Sequence, residues 1–109
     1  MINISRTQRR RLLNNWGDRA ECMDCHAIVR VYDSESSWEC YIYAMNPEYP
    51  DEIKCLIRGF DVEASDWLLS ELSTLYNRSG SSVEIDTEYR PQHLTQLRER
   101  LNGHTRTER

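Results

Sequence analysis

The sequence predicts an α+β domain in which helices pack on one face of a small, mainly antiparallel β-sheet. Three observations carry this prediction: segments that alternate apolar and polar residues, segments with apolar residues at helical spacing, and short polar connections between them. The predicted order of elements is α-β-β-β-α-β-α, with about four strands. The 109 residues suit one domain, which we place at 1–102, followed by a flexible tail at 103–109.

The first predicted helix covers residues 5–16. Ser5 and Gln8 have the spacing of a capping box, in which each side chain accepts a hydrogen bond from the backbone N–H of the other residue. Gly17 is expected to end the helix, because glycine is common just past a helix C-terminus. Arg6, Arg9 and Arg10 lie on the surface of this helix that its apolar residues leave free.

Strands are predicted at 27–33, 38–45, 53–59 and 83–86, where β-branched and aromatic residues recur at every second position. Short polar connections join the first three of these segments. A meander of antiparallel hairpins is therefore the simplest arrangement.

Two further helices are predicted, at 65–77 and from Pro91 to Asn102-Gly103. Ser65 or Asp66 can cap the first of them, and its leucines form a stripe at helical spacing. Pro91 fits the first turn of the second, because a proline there gives up no helical hydrogen bond. Asn102-Gly103 is the expected stop.

The formal net charge of −4 at pH 7 is unevenly distributed along the chain. Residues 1–30 hold six arginines against three acidic residues, and residues 90–109 hold five against two. Residues 31–89 instead hold thirteen acidic residues against three basic ones. Such an acidic segment repels nucleic acid and attracts basic surfaces, and the basic ends do the opposite, unless the three parts neutralise one another in the fold.

The sequence also bears on the cellular compartment. No apolar run approaches the length of a membrane helix, and the N-terminal residues MINISRTQRRRLL lack the apolar core of a secretory signal. We therefore expect a cytoplasmic protein with no membrane partner. Its cysteines are expected to be reduced.

The string CMDCH raises the question of a metal or cofactor. Cys22, Cys25 and His26 could supply three zinc ligands, and Cys40 or Cys55 a fourth, but a second close ligand pair is missing from the sequence. Covalent haem attachment belongs to exported proteins, and redox catalysis needs the cysteine pair at a helix N-terminus rather than ahead of a strand. We predict no metal and no cofactor, with a small zinc-stabilised module as the remaining alternative.

Catalytic residues are not predicted. His26, His93 and His104 are scattered, and no nucleophile or acid lies at a recognised triad spacing from any of them. Glu84 and Asp86 share a face of one predicted strand and could act as an acid–base pair, but an exposed strand face explains them more simply. The sequence has no glycine-rich phosphate loop, so we predict that the protein is not an enzyme.

Strict alternation in the strand at 38–45 places Ile42 and Ala44 on one face and Tyr41 and Tyr43 on the other. The two tyrosines either face a partner or lie under a helix, and the sequence leaves both interpretations open. Acidic residues and a further tyrosine crowd the turn that follows, which is typical of a surface that binds a basic protein. The predicted partner-binding residues are Tyr43, Glu48, Tyr49, Asp51 and Glu52.

The segments SSWECYIYAMNPEYPDEIKCLIRGF, LLSELSTL and VEIDTEYRP together resemble a family of small bacterial proteins of unknown function that plasmids, phages and integrated elements carry. The family pattern runs from a His-led apolar strand through a Trp-led strand and a Ser-Glu-Leu helix to an Arg-Pro pair. The chain matches it at His26, Trp38, Ser70-Glu71-Leu72 and Arg90-Pro91.

The chain departs from that pattern at Ser65-Asp66-Trp67, where the family often has a glycine and an aromatic residue. The cysteines of CMDCH are also outside the pattern. The resemblance brings no assigned catalytic residues. It implies a mobile DNA element in a bacterial cytoplasm.

These expectations lead to a hypothesis about function. Small, acidic, non-enzymatic proteins of mobile elements often protect those elements from host nucleases by occluding the nucleic-acid channel of a larger complex. We therefore expect an anti-CRISPR-like inhibitor that binds a host defence complex through its acidic surface, which is an argument by analogy. The alternative is a nucleic-acid-associated accessory or regulatory protein of the same element, which would use Arg6, Arg9 and Arg10.

Overall fold

A computed structural model describes residues 2–107 of the chain, with side chains described for residues 2–103. The described part contains four helices: α1 (Arg6–Asn15), α2 (Asp18–Glu21), α3 (Leu69–Asn77) and α4 (Leu94–Thr107). Its strands are β1 (His26–Ala27), β2 (Val29–Asp33), β3 (Glu39–Met45), β4 (Glu52–Arg58), β5 (Val62–Leu68), β6 (Val83–Ile85) and β7 (Gln92–His93). The main sheet is antiparallel with the strand order β5-β4-β3-β2-β6, and β1 pairs separately with β7. The predicted α+β class is confirmed.

Helix α1 begins and ends as the sequence predicts. The Gln8 backbone N–H donates to Ser5 Oγ at 3.1 Å, and the Ser5 N–H donates to Gln8 Oε1 at 2.9 Å, so the capping box is present. Gly17 follows the helix with a φ of +105°, which glycine adopts without steric strain. The short helix α2, which the sequence analysis did not predict, starts directly after it.

Helix α3 is shorter than predicted, because residues 65–68 belong to a strand. β5 pairs with β4 along its whole length, and the predicted caps Ser65 and Asp66 lie inside it. The helical spacing of the leucines extends back to Leu68, but pairing with β4 outweighs that local pattern. The helix therefore begins at Leu69.

The cap of α3 comes from a distant turn. The Asp51 carboxylate, between β3 and β4, accepts a hydrogen bond from the Ser70 backbone N–H at 2.8 Å and another from the Ser70 hydroxyl at 2.7 Å. The Leu69 N–H donates to the Asp51 carbonyl oxygen at 2.7 Å. Asp51 therefore satisfies donors of the first helical turn, as an N-cap residue usually does.

Helix α4 starts and ends later than predicted. Pro91 precedes β7 rather than opening the helix, which starts at Leu94. The helix then continues through Gly103 to Thr107, so the predicted stop is wrong and residues 103–107 extend the helix instead of forming a tail. Glycine lowers helix stability by only about 1 kcal/mol, so it does not by itself end a helix.

Helices cover both faces of the main sheet, so the prediction of a single covered face is wrong. α1 and α3 lie on one face, and α2 and α4 on the other. The core under α1 and α3 includes Leu12, Val29, Val31, Ile42, Ile53 and Leu72. The core under α2 and α4 includes Ala20, Tyr41, Leu56, Leu94, Leu97 and Leu101. A strand covered on both faces carries apolar residues on both sides, and every residue of β3 is buried.

A β-bulge in β3 changes which residues share a face. Ile42 is opposite Cys55 and Ala44 is opposite Lys54, so Tyr43 is an extra residue in β3. The bulge shifts the alternation by one position. Ala44 therefore packs with Tyr43 in the core under α4, and the prediction that it shares a face with Ile42 is wrong.

The side chain of Asn15, at the end of α1, holds the bulge in place. Its Nδ2 donates to the Tyr43 carbonyl oxygen at 2.8 Å and to the His26 carbonyl oxygen at 3.1 Å. A bulge leaves backbone groups unpaired in the ladder, and a buried carbonyl without a donor is costly. Asn15 therefore ties α1 to both β1 and β3.

Candidate functional sites

The predicted partner-binding cluster is dispersed by the fold. Tyr43 is only 3% exposed and packs in the core with α4, so its side chain cannot belong to a contact surface and that prediction is wrong. Tyr41, on the same face, is 1% exposed. The interpretation in which a helix covers the two tyrosines is therefore correct.

The remaining four members divide into two pairs. Asp51 caps α3, and Glu52 accepts a hydrogen bond from Asn46 Nδ2 at 3.0 Å, so both carboxylates are occupied within the fold. Glu48 and Tyr49 are exposed in the turn between β3 and β4, and Tyr49 has an exposed fraction of 55%. Two of the five predicted residues thus remain available to a partner.

The outer edge of β5 is a further candidate surface, which we call the acidic edge and define by Phe60, Asp61, Glu63 and Asp66. β5 is an end strand, so its outward backbone groups have no neighbouring strand within the described chain. Phe60, in the preceding turn, is fully exposed. Asp66 pairs with Lys54 Nζ at 3.0 Å, whereas Asp61 and Glu63 contact no basic group among the described residues.

The sequence analysis missed the acidic edge because it assigned residues 65–68 to a helix. A signal was present. Phe60 is the single phenylalanine of the chain and stands between Gly59 and Asp61, which is turn-like composition. A strand placed after that turn would have produced an acidic hairpin with an aromatic residue at its tip.

A partly buried charge network crosses β2, β3 and β4, and we call it the Glu39 network. Glu39 Oε1 accepts hydrogen bonds from Arg30 Nη2 at 2.7 Å, Arg30 Nε at 3.0 Å and the Tyr41 hydroxyl at 2.7 Å. Its Oε2 accepts from Arg58 Nη1 at 2.9 Å. Arg30 Nη1 also donates to Asp86 Oδ2 at 2.9 Å. The network therefore links three neighbouring strands and the residue that follows β6.

Hydrogen bonding determines the charge of this network. Burial by itself raises the pKa of Glu39, but the bonds from Tyr41, Arg30 and Arg58 outweigh burial and hold that pKa below its usual value. Burial, followed by the bond to Glu39, raises the pKa of Tyr41. At neutral pH an ionised carboxylate thus lies among protonated donors, which stabilises strand pairing and leaves no oxygen of Glu39 without a donor.

Glu84 and Asp86 have different partners in the fold. Asp86 binds Arg30, while Glu84 is exposed on β6. The carboxylates therefore have different surroundings despite their spacing. The side chain of His104, the third histidine considered above, lies outside the described residues.

The fold separates the residues of CMDCH. Cys22 is exposed, and Cys25 is buried in the core under α4. Burial, reinforced by the charge of Asp24, raises the pKa of Cys25 to about 11, so this thiol stays protonated at neutral pH. Cys40 and Cys55 lie in the opposite core. In the described part of the chain, no three His, Cys, Asp or Glu side chains come together as metal ligands.

A cleft of about 430 Å³ opens beside this segment, between α1, α2 and the β1–β7 pair. We call it the histidine cleft, and its lining includes Arg11, Asn14, Arg19, Asp24, His26 and His93. The two histidines are opposite each other in the β1–β7 register, and their rings meet edge to face with centroids 5.4 Å apart. Within residues 2–103, neither arginine of the cleft pairs with a carboxylate.

Both ring nitrogens of His93 are already engaged. Nδ1 accepts a hydrogen bond from the Thr95 backbone N–H at 3.2 Å, at the start of α4. Nε2 lies 3.0 Å from Asp24 Oδ1, and it carries the proton of that bond because Nδ1 is an acceptor. His93 therefore caps α4 and holds its ring against His26, but it has no free nitrogen for proton transfer.

The arginines predicted to bind nucleic acid lie on the exposed surface of α1. Arg9 Nη1 contacts Met45 Sδ at 3.4 Å, and Arg6 and Arg10 form no ion pair with any residue that the structure describes. Arg11, next to them in sequence, lines the histidine cleft instead. The sequence analysis did not single out Arg11 or Arg19, because only the turn at Gly17 brings α1 and α2 to one cleft.

In comparison with known proteins, no protein-family model, no curated protein and no solved structure matches the chain. Among the helices of residues 2–107, none is both long and apolar enough to cross a membrane.

Proposed function

We propose that the chain is a non-enzymatic protein-binding domain whose acidic edge engages a basic surface of a larger protein. The observation that carries the proposal is the combination of an open strand edge with two carboxylates, those of Asp61 and Glu63, that no described residue neutralises. Opposite charge across an interface steers association and fixes orientation.

The acidic edge has the parts that a strand-binding surface needs. An end strand offers unpaired backbone N–H and C=O groups, with which an extended segment of a partner can form a further ladder. Seven residues of β5 provide a ladder about 23 Å long at 3.3 Å per residue. The carboxylates disfavour pairing between two copies of the chain, because like charges across a ladder repel.

Exposed aromatic residues stand at both ends of this edge. Phe60 lies in the turn that enters β5, and Tyr49 lies in the turn between β3 and β4, near the far end of β5. Aromatic side chains often provide much of the binding energy of an interface when a partner pocket buries them. Phe60 and Tyr49 therefore bracket the proposed contact surface.

The narrower form of the proposal concerns the partner. The resemblance to proteins of plasmids, phages and integrated elements favours a host defence complex in the bacterial cytoplasm, with an anti-CRISPR-like mode of inhibition. Such complexes bind nucleic acid in basic channels, and an acidic strand edge is complementary to a channel wall. The proposed mechanism is occlusion of that channel.

The test is affinity capture from a host lysate treated with nuclease, followed by assay of the captured complex. We expect a stoichiometric partner that the double variant Asp61→Lys, Glu63→Lys no longer retains. The matched control, Glu84→Lys with Glu88→Lys, changes the net charge equally near the opposite end of the sheet and should retain it. Equal retention by both variants would contradict the proposal.

A second function has one observation in its favour: Arg6 and Arg10 are exposed on α1 and form no ion pair within the described residues. Under this alternative the chain is a nucleic-acid-associated accessory or regulatory protein of a mobile element. Binding to DNA should then weaken steeply with salt, because phosphate contacts release counterions. Absence of a DNA shift at low salt would exclude it.

A further inference from the structure

We propose that the histidine cleft binds a phosphate group, held by Arg11, Arg19 and His26. The proposal is independent of the acidic edge, which involves other strands and the opposite charge.

The charge of the histidine cleft favours an anionic ligand. Arg11 and Arg19 come from different helices and line one cleft, although the chain as a whole is acidic. Arg30 and Arg58 differ from these two arginines, because both pair with the Glu39 carboxylate. A guanidinium without a carboxylate partner keeps its forked donors for another anion, and a phosphate matches that fork.

The carboxylate of Asp24, which also lines the cleft, would repel an anion. Its Oδ1 accepts the His93 Nε2–H at 3.0 Å, and this bond holds the carboxylate on the His93 side of the cleft. The hydrogen bonds of His93 in turn fix the plane against which His26 packs edge to face. His26 is exposed, and no described group occupies its ring nitrogens.

The hydrogen bonds of His93 favour binding of a phosphate group over its cleavage. Two neighbouring histidines with an aspartate could suggest acid–base cleavage of a phosphodiester, which requires a free ring nitrogen on each histidine. His93 has none, because Thr95 and Asp24 engage both of its nitrogens. Cys25, also in the lining, is a buried thiol and not a thiolate. The cleft is therefore arranged to hold a phosphate group rather than to cleave one.

The volume of the cleft indicates what kind of phosphate compound fits. A cleft of about 430 Å³ falls within the range of small-molecule sites and exceeds what an inorganic phosphate fills. The fitting ligand is a phosphate carried by a larger group, either the terminal phosphate of a nucleotide or a phosphate of single-stranded nucleic acid. The exposed amide of Asn14 adds a neutral donor and acceptor at the rim.

The test is calorimetric titration of the full chain at low salt with adenosine 5′-monophosphate and with adenosine. We expect the monophosphate to bind and adenosine not to bind, because the phosphate supplies the recognised charge. The double variant Arg11→Gln, Arg19→Gln should weaken binding by roughly tenfold for each charged hydrogen-bond partner removed. The double variant Arg6→Gln, Arg10→Gln has the same net charge and should bind within about twofold of the original chain.

Two further measurements keep the outcome unambiguous. Asp24→Asn keeps an oxygen acceptor for His93 and removes a negative charge, so it should tighten binding, a gain that misfolding could not produce. A short single-stranded oligonucleotide with and without a 5′-phosphate then distinguishes the sources. Preference for the phosphorylated form identifies a terminal phosphate, and equal binding that depends on Arg11 and Arg19 identifies the nucleic-acid backbone.

The proposal is overturned if neither the monophosphate nor the oligonucleotide binds. It is also overturned if binding is lost equally in the Arg6, Arg10 variant and the Arg11, Arg19 variant, because non-specific attraction then explains it. Loss in the Arg6, Arg10 variant alone would favour the nucleic-acid alternative on α1 and remove the cleft from consideration.

Discussion

Two regions of this protein use arginine in opposite ways. In the Glu39 network, Arg30 and Arg58 share one carboxylate at 2.7 and 2.9 Å and lie partly buried between strands. In the histidine cleft, Arg11 and Arg19 are exposed and have no carboxylate partner among the described residues. Arginine therefore stabilises the fold in the Glu39 network, whereas in the histidine cleft its guanidinium is exposed at the proposed phosphate site.

The difference lies in the cost of removing a partner. Removing a partly buried carboxylate that accepts four hydrogen bonds takes the shared acceptor from all of its donors. Exposed arginines lose only contacts with water when they are replaced. Substitutions in the Glu39 network should therefore lower the free energy of unfolding more than substitutions in the histidine cleft. Substitutions in the cleft should weaken phosphate binding more than substitutions in the network.

The largest expected effect is that of Glu39→Ala. The substitution leaves Arg30, Arg58 and the Tyr41 hydroxyl without their shared acceptor, and breaking a buried pair from one side costs about 3–5 kcal/mol. The free energy of unfolding from urea denaturation at neutral pH measures it.

A matched double variant in the histidine cleft tests whether the two regions differ in their contribution to stability. Arg11→Gln with Arg19→Gln should change the free energy of unfolding by no more than about 0.5 kcal/mol, as for surface substitutions in general. A loss similar to that of Glu39→Ala would show that the cleft arginines stabilise the fold, and the contrast between the regions would fail.

The next largest effect is expected at the bulge. Asn15→Ala removes the donor for the Tyr43 and His26 carbonyl oxygens, and leaving buried acceptors unsatisfied costs about 1–3 kcal/mol. Asn14→Ala is the control, since Asn14 is exposed on the same helix. Equal unfolding free energies for the two variants would mean that solvent replaces the Asn15 bonds.

A smaller effect is expected at the cap of α3. Asp51→Ala removes both bonds to Ser70 and should cost about 1 kcal/mol, the usual value for an N-cap. Glu48→Ala changes the same charge in the same turn, and its exposed carboxylate caps no helix. If both variants melt at the temperature of the original chain, the cap contributes nothing measurable.

The smallest expected effect is the pH dependence that Glu39 confers. Its pKa in the folded protein is below the unfolded value of about 4.3, so its contribution is present above that value and is lost as the pH falls through the folded pKa. The unfolding free energy of the original chain should therefore fall in acid more than that of Glu39→Ala. Parallel pH profiles of the two proteins would assign acid sensitivity to other carboxylates.

Local sequence signals predicted the elements whose interactions are local. The capping box of α1 joins Ser5 to a residue three positions away, and the helix forms as expected. The α3 cap follows a different route, since Asp51 lies nineteen residues before Ser70 and no spacing rule connects them. The sequence analysis assigned Asp51 to a partner surface. The local sequence of a turn does not show whether its acidic residue caps a helix that is distant in the chain.

Tyr43 and Phe60 show that the sequence did not predict which aromatic side chains are exposed. Tyr43 was expected at a partner surface, yet the bulge and α4 bury it. Phe60 was not considered, yet it is fully exposed in a turn. Alternation along a strand gives the two faces but does not say which face a later helix will cover.

Periodicity and composition within short windows of the sequence are enough to predict four features. These are the α+β class, the first helix with its cap, the central strands and the separation of acidic and basic segments. Three other features became visible only in the folded chain: β5 replaces the start of a helix, helices cover both sheet faces, and Arg11, Arg19 and His26 line one cleft. Those outcomes depend on pairing and packing between residues far apart in the chain, where long-range contacts outweigh local propensity.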